Sequence, residues 1–303
     1  MGWFSRKART TDDAFPFLSR DDADHLRRVA ADAFARAGRR VTVHDDHLEG
    51  EDGAVFGLWN LAATCHEAGR RSAWPAIADR HVDQVVNLPD PAALTDEALL
   101  DVVMLRAVAP DQIPPEHRER FRHAVDVADG LLQILVADFP ATVATLSDED
   151  VDRVGRERML AAGRARLVAE PVEHVSVDLD GGARLEMFGG ESVYVASKVL
   201  VLEELLRGLH GERGYPDGVL VAVPDRQTLV LHVPVDAGVM TALQTMAGST
   251  ARMWATAPGG VSPSVYWWRG GALTRISRVD DDGGVAVDVH PELGDVLDRL
   301  AAA

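Results

Sequence analysis

Three pairs of apolar runs in the C-terminal half are joined by connections too short to hold a crossover. Val175, Val177 and Leu179 alternate up to a turn at Asp180-Gly181-Gly182, and the runs at 219–223 and 229–233 flank Pro224-Asp225-Arg226-Gln227. The third pair, "SVYWWRGGALTRISRV", turns at Gly270-Gly271. A parallel neighbour needs a dozen or more residues between strands, so these pairs must be antiparallel. Helical patterns separate them. Leu200, Leu202, Leu205 and Leu206 form a broad apolar face in "SKVLVLEELLRGLHG", and a further helix is predicted at about 236–247. The class is therefore α+β, with mixed or mainly antiparallel sheets, hairpins and packed helices, and not a doubly wound sheet.

The N-terminal part reads in the same way. Leu26, Val29, Ala30, Ala33 and Phe34 recur at helical spacing over 21–37, behind Asp21 and Asp22. Val41–His44 is a predicted strand whose hairpin partner is "AVFGLWN" (54–60), with Asn60 capping a helix that turns Leu61, Ala62 and Cys65 inward. Ile77, His81 and Val85 mark a further helix, and 101–107 reads as a strand. "GLLQILVADFPATVATL" (130–146) predicts a buried strand, a bend and a second short element. Ser147 with Glu149 and Asp150 then opens a helix to about residue 168. "ESVYVAS" reads as a strand running into a helix, and "VAVDV" as a last strand before a helix from Pro291 or Glu292. Pro110, Pro114 and Pro115 break the pattern at 109–117. The expected organisation is a flexible arm at 1–19, an α+β unit at 20–108, a linker or loop at 109–117, and a larger α+β unit at 118–303 with the Trp-rich hairpin. The two units are separate domains or two parts of one.

With 48 acidic against 31 basic side chains, the formal charge is -17. Such a surface repels nucleic acid and anionic membranes at long range, which makes nucleic-acid binding an unfavoured class. Cys65 is the single cysteine, so no intrachain disulfide and no Cys-x-x-Cys metal knuckle exists. No apolar run approaches the roughly 20 residues that cross a bilayer. "MGWFSRKAR" lacks an apolar signal core, and the expected location is cytoplasmic. Oligomeric state is not fixed by any of these features.

The standard nucleotide, hydrolase and zinc-protease motifs are absent, and no cofactor or metal is expected. "HEAGR" (66–70) lacks the second zinc-ligand histidine, having Arg70 in its place. "HDDH" (44–47) is dense in ligand-type side chains, but neighbours on a strand point to opposite faces, so a polar hairpin turn is the expectation. Cys65 reads as a buried thiol and His81 as a packed histidine. Four polar residues draw attention: Asp138 at the end of an apolar strand, Ser197 at a helix start next to Lys198, and Asp225 and Arg226 in the hairpin turn. If they converged in a cleft they would suggest an enzyme, with hydrolysis as the natural class. Tyr266, Trp267, Trp268 and Arg269 instead suggest a protein interface, because such residues dominate binding hot spots. The leading expectation is a non-enzymatic protein acting on a protein partner. The polar-cleft enzyme is the alternative.

The blocks "FGLWNLAATCHEAG", "LVADFPATVATLSDEDVDRVG", "VYVASKVLVLEELL" and "GVLVAVPDRQTLVLHVP" resemble those of the YtpQ-like family of uncharacterised bacterial proteins, over roughly residues 20–250. Asn60-Leu61, Asp138, Ala196-Ser197 and Pro224-Asp225-Arg226 carry the likeness, while Ala62 and Ala63 stand where members often have an aromatic. The resemblance implies a cytosolic α/β fold and brings no reaction or ligand with it.

Overall fold

A computed structural model describes residues 11–302, apart from 52, 88, 114, 141, 181 and 281 and the side chains of 115–117. Residues 1–10 of the expected arm, and Gly181 of the first hairpin turn, lie outside the described residues. The chain divides into two compact units, 1–88 with 256–258 and 89–255 with 259–303.

In the first unit, α1 (Arg20–Arg36) is capped by Ser19, whose hydroxyl accepts the Asp22 amide, and buries the predicted stripe from Leu26 to Phe34. Residues 11–19 are not a free arm. Phe15 and Leu18 are buried with that stripe. The Asp12 carboxylate accepts the Ala14 and Phe15 amides, both at 3.1 Å, and forms a two-pronged pair with Arg27 at 2.9 and 3.1 Å. The predicted hairpin is a three-stranded antiparallel meander, β1 (Val41–Val43), β2 (His47–Gly50) and β3 (Val55–Gly57), with "HDDH" at its first turn. α2 (Trp59–Ala68) begins at Leu58 without a side-chain cap, so Asn60 lies inside the first turn and does not cap it. α3 (Trp74–Val86) turns Trp74, Ala78 and Val82 inward and leaves Ile77, His81 and Val85 half-buried. The two stripes differ by one residue, about 100° on a helix, and Trp74 decides between them.

The second unit opens with α4 (Asp96–Val102), capped by Thr95, so the strand predicted from 101 starts two residues later as β4 (Val103–Val108). Residues 109–117 begin the connection from β4 to β5 (Val125–Ala128) inside this unit, and the division between units falls at residue 88. β6 (Leu131–Phe139) pairs with β4, β5 and β7 (Thr142–Thr145) in a four-stranded antiparallel sheet. A reciprocal Ser147–Asp150 capping box starts α5 (Asp148–Val154). The expected long helix breaks at Gly155, whose φ of 102° is not helical, and resumes as α6 (Arg156–Ala169).

The larger sheet is antiparallel throughout, in the order β13-β12-β10-β11-β9-β8. Its strands are β8 (Glu173–Asp178), β9 (Arg184–Gly189), β10 (Val219–Ala222), β11 (Leu229–His232), β12 (Val265–Arg269) and β13 (Ala272–Arg275). α7 (Leu202–His210) leads into β10, and α8 (Val239–Trp254) follows β11. A separate pair, β14 (Ser277–Val279) with β15 (Val285–Val287), precedes α9 (Pro291–Ala301). Leu220, Ala222, Val230 and Trp267 pack with α8 and α9, whereas Val219, Val221, Leu229, Leu231 and Tyr266 pack with α7 and the turn before it. The central hairpin is thus covered on both faces, as its two-sided apolar pattern requires. "ESVYVAS" is not a strand. Tyr194 to Val199 are all buried, shared between two cores, and the segment forms a turn followed by 3-10 helix at Ala196–Val201.

Candidate functional site

The four polar candidates do not assemble into a nucleophile and its base. Ser197 is 1% exposed, and its Oγ accepts the Ala107 amide of β4 at 3.0 Å. Lys198 runs the other way, where its Nζ donates to the carbonyls of Leu167 (2.8 Å) and Val168 (3.1 Å) at the end of α6. It acts there as a cationic cap on the negative end of the helix. Asp225 is committed to its own turn, accepting the Gln227 amide at 2.8 Å, and burial pushes its carboxyl above the usual range.

Asp138 and Arg226, by contrast, share surroundings with a residue that the sequence reading passed over. Arg106 interrupts the otherwise buried apolar strand β4, and desolvation lowers its guanidinium below the ordinary arginine value. The groups whose charges act on it are Tyr194, Arg226 and Asp138. Tyr194 donates its hydroxyl to Asp138 at 2.9 Å, and burial together with that carboxylate raises the phenol well above its usual value. Arg166 stands 3.7 Å from the other Asp138 oxygen. The backbone of Arg226 is pinned on both sides: its carbonyl accepts the Ala196 amide at 3.2 Å and its N–H donates to Gly259 at 3.0 Å. Gly259 has φ +70°, and a Cβ there would lie 2.7 Å from the Arg226 Cδ, so the side chain rests against bare backbone. An arginine inside "VVMLRAV" was the available sequence signal.

The aromatic segment splits. Tyr266 is fully buried, with its hydroxyl 2.7 Å from Ser262 Oγ, and Trp267 is 4% exposed and donates its indole N–H to the Asp217 carbonyl at 3.0 Å. Both belong to the core, so neither can serve as the interface residue that the sequence suggested. Trp268 is half-buried and Arg269 exposed. They border a 610 Å³ cleft completed by Arg207 of α7 and by Arg213 and Tyr215 of the loop that follows. Trp268 and Tyr215 meet edge to face at 6.3 Å, and the Arg213 guanidinium sits 5.2 Å from the Tyr215 ring centre. Arg207 pairs with Glu203 and Glu212, and Arg269 with Glu292. Arg213 has no carboxylate partner among the described residues. Tyr215 and the glycine-rich loop were missed, because "GERGYPDG" reads as a plain turn until folding brings it beside Trp268.

In the first unit, Cys65 is fully buried and desolvation pushes its thiol up to about 12, which leaves no thiolate for chemistry. Three of the "HDDH" side chains are consumed locally: the His44 and His47 rings stack at 4.3 Å, His44 pairs with Glu49 and His47 with Asp46. Among the described residues, no group of three or more His, Cys, Asp or Glu side chains could hold a metal ion, and no helix is long and apolar enough to cross a membrane. No protein-family model matches the chain, no curated protein matches it, and no solved structure matches it.

Proposed function

We propose that this chain is a cytoplasmic protein that works by protein–protein contact rather than by catalysis, and that partners dock in the cleft beside Trp268. The observation that carries this reading is the arrangement of that cleft, in which Trp268 and Tyr215 meet edge to face under an Arg213 guanidinium with no carboxylate partner among the described residues. Trp, Tyr and Arg are the side chains that supply most binding energy at protein interfaces, since each offers large contact area with a directional polar end. On a chain of charge -17, an uncommitted guanidinium beside aromatic rings favours a partner segment that presents a carboxylate next to an apolar side chain. Kinship with YtpQ-like proteins belongs to the same proposal and rests on the four sequence blocks alone.

The test is affinity purification from the native cells with wild type, Trp268→Ala, Arg213→Glu and, as a control outside the cleft, Trp254→Ala. Specific partners should be lost with the first two variants and kept with the third. Recovery of the same partners by all three variants would overturn the docking assignment.

A further inference from the structure

We propose that the cleft over Lys198, between α7 and the β8–β9 hairpin, binds a free α-amino acid with an aliphatic side chain. The cleft encloses about 340 Å³, at the small end of the range that ligand sites occupy. Phe188 and Val201, both buried, line it together with Val172 ahead of β8 and with Leu205 and Leu209 of α7. Gly208 lies on the same stripe of α7, and a Cβ there would meet nothing within 4 Å, so the helix leaves the cleft open at this point. Such walls suit a short apolar body.

Two charges on this cleft lack an ion-pair partner among the described residues. Lys198 is 3% exposed, and its Nζ donates to the carbonyls of Leu167 at 2.8 Å and Val168 at 3.1 Å. An ammonium has three N–H donors, so one is left over. A buried charge without a counter-charge is costly to keep. Glu170, also on the cleft, accepts the Ser192 hydroxyl at 2.6 Å through one oxygen and meets no cation among the described residues. The remaining titratable side chains there have partners: Glu204 pairs with Arg164 at 2.6 Å, and His174 meets Glu186 at 2.7 Å and stacks on Phe188. A ligand that answers both open charges carries a carboxylate for Lys198 and an ammonium for Glu170 on an apolar body, which is the make-up of an aliphatic amino acid. A fatty acid would satisfy Lys198 and set a second negative charge beside Glu170, and an alkylamine would do the reverse at Lys198. The cleft shares no residue with the docking cleft beside Trp268.

The experiment is isothermal titration calorimetry of the full chain with L-leucine, with glycine, and with the two molecules that each lack one of leucine's charges, 3-methylbutylamine and 4-methylpentanoate. Leucine should bind, and each of the other three should bind about tenfold or more weakly, because it lacks either the apolar body or one charged contact. Lys198→Met should weaken leucine about tenfold and leave 3-methylbutylamine no weaker. Glu170→Gln, which can still accept the Ser192 hydroxyl, should weaken leucine by a similar factor and leave 4-methylpentanoate no weaker. Gly208→Leu puts a good helix former at an open position and should weaken every ligand by filling the cleft. If Lys198→Met does not fold, because it also removes the cap on α6, Glu170→Gln and Gly208→Leu decide the matter. The proposal fails if leucine does not bind wild type, or if glycine or either singly charged molecule binds as tightly as leucine. It fails equally if Glu170→Gln or Gly208→Leu keeps the wild-type affinity for leucine.

Discussion

Arg27 in the first unit and Arg106 in the second are both arginines set against core, and their surroundings differ in one respect. Arg27 meets Asp12 through two hydrogen bonds, donates to the Asp45 carbonyl and lies 5.4 Å from the Phe15 ring centre. Arg106 has Asp138 and Tyr194 within electrostatic reach, but those two are bonded to each other. The contrast separates an ion pair that holds residues 11–19 onto α1 from a partly exposed cation, none of whose nitrogens is a buried atom without a partner. Burial alone does not make a polar residue functional. The state of its hydrogen-bonding groups is the more telling observation.

The largest effect should come from weakening the Arg27 pair. Asp12→Asn removes the more buried of the two carboxylates that meet Arg27, leaving Asp24 at 3.0 Å, and should cost about 3 kcal/mol in urea unfolding. A loss below about 1 kcal/mol would show that the pair is not what fastens residues 11–19. The same pair gives a pH dependence. Burial opposes the Asp12 charge, but Arg27 and the two amides outweigh it and hold the carboxyl below its ordinary 3.8. A lowered folded pKa means that this stability is complete above the unfolded value and is lost as pH falls through the folded one. Urea midpoints taken from about pH 5 down to about pH 2 should therefore fall more steeply in wild type than in Asp12→Asn.

A smaller loss is expected from Ser197→Ala, which leaves the buried Ala107 amide beside Arg106 without its acceptor and should cost about 2 kcal/mol. If the cost is near zero, Ser197 is free of structural duty and a reactive role regains interest. The mildest change is Tyr194→Phe. It deletes one hydrogen bond, about 1 kcal/mol, and at the same time frees an Asp138 oxygen to turn towards Arg106. A net effect below that figure in urea unfolding would show that Asp138 gains a compensating partner when the phenol is removed.

The pieces of the fold that were legible in the sequence are those set by local pattern. The three hairpins, the Ser147 capping arrangement and the two-sided burial of Leu229–Leu231 follow from alternation, turn residues and side-chain type, which act over a few residues. The misreadings have tertiary causes. "ESVYVAS" has strand composition but is enclosed by two cores, and α3 is rotated by one residue because Trp74 finds a deeper seat than Ile77. Among the site candidates, Asp138 and Arg226 stand out in the sequence as polar groups beside apolar runs, whereas Arg106 is hidden within a strand that reads as plain core.

By itself, the sequence determined the antiparallel α+β class, the position of the hairpins and the acidic surface, because connection length, periodicity and charge are properties of the chain before it folds. Only the tertiary structure decided that Tyr266 and Trp267 are core while Trp268 borders a cleft, that Ser197 and Lys198 diverge, and that Arg106 stands without a bonded partner among the described residues. Those outcomes depend on which groups from distant segments arrive within about 3 Å of one another, the range over which hydrogen bonds are made or missed.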